Sequence, residues 1–182
     1  MSSATYSPWM RRLHWIIALC VGIALLLIEL KGWFPRGSAT RRAVQWGHIQ
    51  FGIAVLVLMA PRVLVRLRAA TPPITPPSPP WQMVLSKLVH AALLLLTVGI
   101  PVLGVSMMFV SGKPWNLLGL ALPTMTTPDS TLAHQLKEVH ETCGNVLMWL
   151  AIAHVAAALY HHFVQRDDTL LRMAPGLRNR SR

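Results

Sequence analysis

Residues 132–165 read LAHQLKEVHETCGNVLMWLAIAHVAAALYHHFVQ, and this stretch decides the fold. After Glu141 it carries no Asp, Glu, Lys or Arg as far as Gln165. A helix needs about 20 apolar residues to cross a hydrocarbon core. The stretch is therefore read as a membrane span that starts outside the lipid near Leu132. His140 and His154 lie on it fourteen residues apart, roughly 21 Å along the helix axis at 1.5 Å per residue. Fourteen steps of about 100° return to within roughly 40° of the same face. One helix face thus offers two imidazoles at two depths.

Working outward, three further apolar runs are long enough to span, at about 8–31, 43–66 and 84–110. Ser7 and Pro8 read as N-cap and first helical residue of the first run. Pro101, between Gly99 and Gly104, is expected to kink the third. Thr71 to Pro80 carries too many prolines for a helix and is expected to run extended at the surface. The 182 residues suit a single domain, 1–182, with all-α architecture. Hydrophobic residues make up 53% of the chain and charged residues 13%, against about 25% charged in a soluble fold. Most of the surface is therefore expected to face lipid rather than water. Seven Trp suit membrane interfaces and fourteen Pro suit loops and helix ends.

A net charge of +11 invites a nucleic-acid reading. The arginines, however, are scattered between apolar runs and form no basic stripe with interleaved aromatics, so no nucleic acid is expected. The first apolar run lacks a small-residue cleavage site and is expected to stay as an anchor. Cys20 and Cys143 are expected at different levels of the bundle. No cysteine pair followed by histidine exists for covalent haem attachment.

Basic residues set the direction of insertion. With the N-terminus inside, eleven face the cytoplasm: Arg11, Arg12, Arg62, Arg66, Arg68, Lys87, Arg166, Arg172, Arg178, Arg180 and Arg182. Six lie on the other side: Lys31, Arg36, Arg41, Arg42, Lys113 and Lys137. Both termini are expected to be cytoplasmic.

Eight histidines in a chain this poor in charge call for an explanation. A single intramembrane His can simply bond a neighbouring helix. A set that pairs by depth points to axial ligation of haem iron. His48, near the outer start of the second span, is level with His140. His14, two turns into the first, is level with His154. His161 and His162 compete with His154, but His161 would sit roughly 31 Å from the level of His140, a full hydrocarbon thickness away. His14, His48, His140 and His154 are therefore the expected ligands of two stacked, non-covalent b haems. Two imidazoles on one iron leave no open position for dioxygen, so electron transfer is the expected task. His90, His161 and His162 lie near the cytoplasmic surface. They are read either as propionate or headgroup partners or as proton donors to a quinone. His134 is read as a solvated loop residue, and Glu29 as snorkelling or paired with a nearby Lys or Arg.

The ordered motifs resemble the bacterial four-helix cytochrome b561 family over nearly the whole chain. They run through His14-Trp15, Gly32-Trp33-Phe34-Pro35-Arg36, His48 with Gly52-Ile53 and Val55 to Met59, and Thr71-Pro72-Pro73-Ile74. They continue with Pro114-Trp115, Leu136-Lys137, His140-Glu141-Thr142, His161-His162-Phe163 and Thr169-Leu170-Leu171-Arg172-Met173. The resemblance implies a multi-pass protein of the bacterial inner membrane. It implies the same four haem ligands, and superoxide oxidised to dioxygen at the outer face with electrons passed to ubiquinone. Six-helix, ascorbate-using proteins of similar name do not fit four spans.

The outer cations supply a physical footing for an anionic donor. Lys31, Arg36, Arg41, Arg42, Lys113 and Lys137 face Glu29, Asp129, Glu138 and Glu141 there. A positive surface concentrates a small anion, although the same cluster suits anionic lipid headgroups. Two other functions stay open. One is a haem b electron-transfer subunit serving a partner dehydrogenase or soluble carrier. The other is a histidine-lined metal or proton transporter.

Overall fold

The protein is described from a computed structural model over residues 5–68 and 72–176. Four long helices carry the chain back and forth: α1 Pro8–Lys31, α2 Ala39–Arg68, α3 Pro80–Val110 and α4 Ser130–Tyr160. All four are long and apolar enough to cross a membrane, the last continuing to Gln165. Thr71, Arg178, Arg180 and Arg182, used above for the connector and the orientation, lie outside the described residues.

Local chemistry sets the helix ends. The Ser7 hydroxyl accepts from the Met10 N–H at 3.3 Å, with Pro8 in the first turn. Asp129 caps α4 by accepting from the Leu132 N–H at 2.9 Å. That cap starts α4 before the apolar run, so His134 stands on the helix and not on a loop. There it lies 3.6 Å from Glu138, and both are exposed. Residues 72–79 are non-helical, and Pro80 opens α3. Helix α3 runs on through Pro101, and α2 through Pro61.

Helix α1 packs chiefly on α2 and α3 on α4, with α2 and α3 joining the two pairs. The tightest apolar packing is between α1 and α2, where Leu13, Ile17, Val55 and Met59 are buried. Few other apolar side chains are. Leu19, Leu95 and Trp149 are 64%, 72% and 67% exposed. A belt of such residues around four long helices is a surface suited to lipid.

One end of the bundle carries the α1–α2 turn and the α3–α4 connection, and is termed the hairpin end. The connection folds into a two-stranded hairpin, β1 Asn116–Leu117 and β2 Leu120–Ala121. Leu118 and Gly119 both take positive φ at its tip, 49° and 92°, as a two-residue primed turn requires. Gln50, buried on α2, pins the hairpin. Its amide donates to the Asn116 carbonyl and its oxygen accepts from the Leu118 N–H, each at 2.9 Å. The other end, termed the terminal end, gathers residues 5–8, 72–79 and a C-terminal segment. There α4 widens into a π turn, His161–Gln165, which Arg166 closes in the left-handed region at φ 55°. A short helix α5, Thr169–Met173, follows. The Trp15 indole N–H donates to the Met173 carbonyl and the Tyr6 N–H to the Arg172 carbonyl, tying α5 back to the start of α1.

Candidate functional site

The sequence-designated histidines fall into two groups at two levels. Toward the hairpin end, the rings of His48 and His140 lie 6.1 Å apart, centre to centre. Toward the terminal end, His14 and His154 lie 6.4 Å apart. His90 joins this second group, with its ring 5.3 Å from that of His154. The sequence reading placed His90 nearer the surface; the structure sets it level with His154, still exposed. Among the described residues, no three His, Cys, Asp or Glu side chains converge as a site for a bare metal ion. Cys20 and Cys143 are both free thiols.

The pair toward the hairpin end is held by backbone. His48 donates from Nδ1 to the Ala24 carbonyl at 2.9 Å, and His140 donates from Nδ1 to the Ile100 carbonyl at 2.9 Å. Each ring therefore keeps its proton on Nδ1 and a lone pair on Nε2. This is the tautomer in which protein histidines bind metals. Gly104 makes the approach of His140 to α3 possible. A Cβ there would stand 3.1 Å from His140 Cε1. Between the two helix pairs lies a cavity of about 300 Å³ that all four helices line. Its wall includes His48, His140, Gly52, Gly144, Glu29 and Glu141. A Cβ at Gly52 or Gly144 would meet nothing within 4 Å. Among the described residues Glu29 makes no ion pair, so of its two readings the pairing with a Lys or Arg is not seen; it lines this cavity.

At the terminal end the two adjacent histidines part company. His161 donates from Nδ1 to Asp167 Oδ2 at 2.5 Å, and Asp167 is buried. His162 packs edge-on against Phe163, ring centres 4.8 Å apart. Burial pushes the Asp167 carboxyl up. The hydrogen bond from His161 and those from Thr169 outweigh it and hold the group below its ordinary value. Asp168 accepts from the Thr75 N–H at 3.0 Å and faces Arg172. Sequence reasoning missed Asp167. Its only signal was its place six residues beyond His161, just past the end of the span.

The hairpin-end cations are partly engaged. Arg41 Nη1 donates to the Lys31 and Phe34 carbonyls at 2.8 and 2.9 Å, closing the C-terminal turn of α1. Arg42 donates to the Gly37 carbonyl. Lys137 pairs with Glu141 at 2.9 Å. Arg36 and Lys113 are exposed.

The prokaryotic cytochrome b561 family matches residues 5–176, nearly the whole chain. The chain belongs to that family. It is 43% identical to cytochrome b561 homolog 1 of Escherichia coli K12, over 90% of this chain and 93% of that one. It is 37% identical to the probable superoxide oxidase CybB of Yersinia pestis, over 93% and 96%. It is 30% identical to cytochrome b562 of Cereibacter sphaeroides, over 88% and 89%. As a b561 family member, the chain is a bacterial integral membrane protein of electron transfer, and the family implies b-type haem.

The histidine pairs fit such a group. Metal–imidazole bonds of about 2.0–2.1 Å on opposite sides of one metal put the ring centres about 6 Å apart. The two pairs, at 6.1 and 6.4 Å, have that separation. His90 and His154, at 5.3 Å, are too close for it. The open space at Gly52 and Gly144 suits a flat macrocycle beside the first pair.

Proposed function

We propose that this protein oxidises superoxide at its hairpin end and delivers the electrons to ubiquinone at its terminal end. The hairpin end then faces the periplasm and both termini face the cytoplasm, as the excess of basic residues favours. The observation that carries the reading is the pair of histidine couples at two levels, one below each end of the bundle. His48 and His140 would hold the outer b haem, and His14 and His154 the inner one. The bound haems supply one-electron transfer between the two ends, and the residues supply everything else. The 37% identity to a probable superoxide oxidase supports the donor. The exposed cations Arg36 and Lys113, with Lys31, Arg41, Arg42 and Lys137, support attraction of a small anion.

The overall change balances. Two superoxide anions lose one electron each to become two dioxygen molecules. One quinone takes the two electrons and two protons and becomes quinol. The protons are taken at the terminal end, where His161 rests against Asp167. His90 and His162, the other two quinone or proton candidates, flank that region.

The deciding experiment is stopped-flow mixing of the purified haem-loaded chain with superoxide, with and without ubiquinone. Fast haem reduction, followed by reoxidation only when quinone is present, is the expected record. No reduction by superoxide would leave the second reading, a haem b subunit fed by a dehydrogenase or soluble carrier. The cations add a salt test. The Debye length shrinks from about 30 Å at 0.01 M to about 8 Å at 0.15 M. The reduction rate is expected to fall several-fold over that range, and Arg36→Gln with Lys113→Gln to flatten the fall. Binding to anionic lipid alone would leave the detergent rate independent of salt.

Gly104 gives a steric test of the outer site. Gly104→Val is expected to push the His140 ring off the Ile100 carbonyl and leave one haem per chain by pyridine haemochrome. Two haems with an unchanged spectrum would remove His140 from the site.

A further inference from the structure

Arg62 stands fourteen residues after His48 on α2, as His154 stands fourteen after His140 on α4. The same arithmetic that stacks the α4 histidines therefore places Arg62 below His48, roughly one face of α2 at the inner level. At that level, where α2 offers no third imidazole, it offers a cation. The Arg62 Nη2–H donates to His14 Nδ1 at 3.2 Å. Its Nη1 is buried and has no partner among the described residues.

A part-buried guanidinium whose Nη1 is shut away without an anion is costly, and no described carboxylate reaches it. The chain's six carboxylates are Glu29, Asp129, Glu138, Glu141, Asp167 and Asp168. Asp129 caps α4, Glu138 and Glu141 pair on its exposed face, and Glu29 lines the hairpin-end cavity. Asp167 and Asp168 are held by His161, Thr169, Thr75 and Arg172. The contact to His14 is itself incompatible with ligation through Nε2. A ring bound to metal through Nε2 carries its proton on Nδ1, and that proton points at the guanidinium. Loading the inner site must therefore free Arg62 from His14 and leave a part-buried cation in need of an acceptor.

We infer that Arg62 is the carboxylate anchor of the inner haem, exchanging His14 for a propionate when the haem binds. The inference rests on the two-haem reading. It assigns to α2 an anion-binding subsite at the inner level, matching the iron ligand that His48 would provide at the outer level. A cation held there also favours the reduced iron and raises the inner potential relative to a neutral side chain.

The test is a comparison of Arg62→Gln and Arg62→Lys in the haem-loaded chain, read by haem content and by potentiometric titration. Redox-difference infrared spectra in the carboxylate region complete it. Arg62→Gln is expected to move the lower-potential or higher-potential step assigned to the inner haem downward, to alter a carboxylate band, and to leave the outer step in place. Inner-haem loss in Arg62→Gln with retention in Arg62→Lys would equally support an anion-binding role. Unchanged potentials and carboxylate bands in Arg62→Gln would overturn the inference. So would equal loss of haem in both variants, which marks a packing role. A wild-type chain that binds one haem would instead overturn the two-haem reading itself.

Discussion

Replacing His140 with Ala is expected to take the haem content from two per chain to one and to abolish fast reduction by superoxide. His140 is fixed at both nitrogens' roles: Nδ1 donates to the Ile100 carbonyl at 2.9 Å, which leaves Nε2 for the metal. Its ring centre lies 6.1 Å from that of His48. Alanine would remove one of the two imidazoles that would hold the outer haem and leave an apolar void beside the cavity, so only His48 would remain to hold the group. His48→Ala should behave alike, while His14→Ala and His154→Ala should remove the inner haem and spare the outer. In the second class superoxide still reduces one haem, but reoxidation by quinone stops. The bundle should insert in all four variants, because hydropathy and backbone hydrogen bonding specify the spans. Pyridine haemochrome on purified protein checks the stoichiometry, and loss of both haems from any single variant would show that the two sites do not load separately.

Four spans and two histidine levels were legible because each rests on a long-range regularity: apolar runs of sufficient length, and a fourteen-residue interval on one of them. Features that depend on a local turn were not. Nothing in Asn116-Leu-Leu-Gly119 announces a primed turn, since Leu118 takes positive φ only with its N–H held by Gln50. His90 was read by its depth on α3 alone, and its approach to His154 depends on how α3 packs against α4. Arg62 was counted only among the cytoplasmic-side charges of the second span, and its approach to His14 depends on how α2 packs against α1.

The adjacent histidines show the same limit, and they carry the largest kinetic effect expected at the terminal end. An ideal helix puts His161 and His162 about 100° apart but does not say which one meets a partner. The π turn and the left-handed Arg166 fold the chain back so that Asp167 reaches His161. Quinone reduction consumes two protons at a membrane surface, and a histidine backed by a buried carboxylate is suited to hold one of them. Asp167→Asn keeps the shape but removes the carboxylate that accepts from the His161 ring. Positioned proton transfer contributes about 10²–10⁴-fold. Quinone-dependent reoxidation is therefore expected to slow by about that range near neutral pH, with haem reduction by superoxide unchanged. The deficit should narrow toward low pH, where protons are plentiful, and His161→Gln should match it while His162→Gln does not. A structural role would act differently. Because the folded Asp167 carboxyl is held below its ordinary value, its stabilising effect is complete above that value, near pH 4. It is lost only as the pH falls through the lower folded value. Asp167→Asn should thus lower the melting temperature at pH 7, with little further change down to pH 5. A reoxidation deficit that is independent of pH over the same interval would assign Asp167 to packing alone.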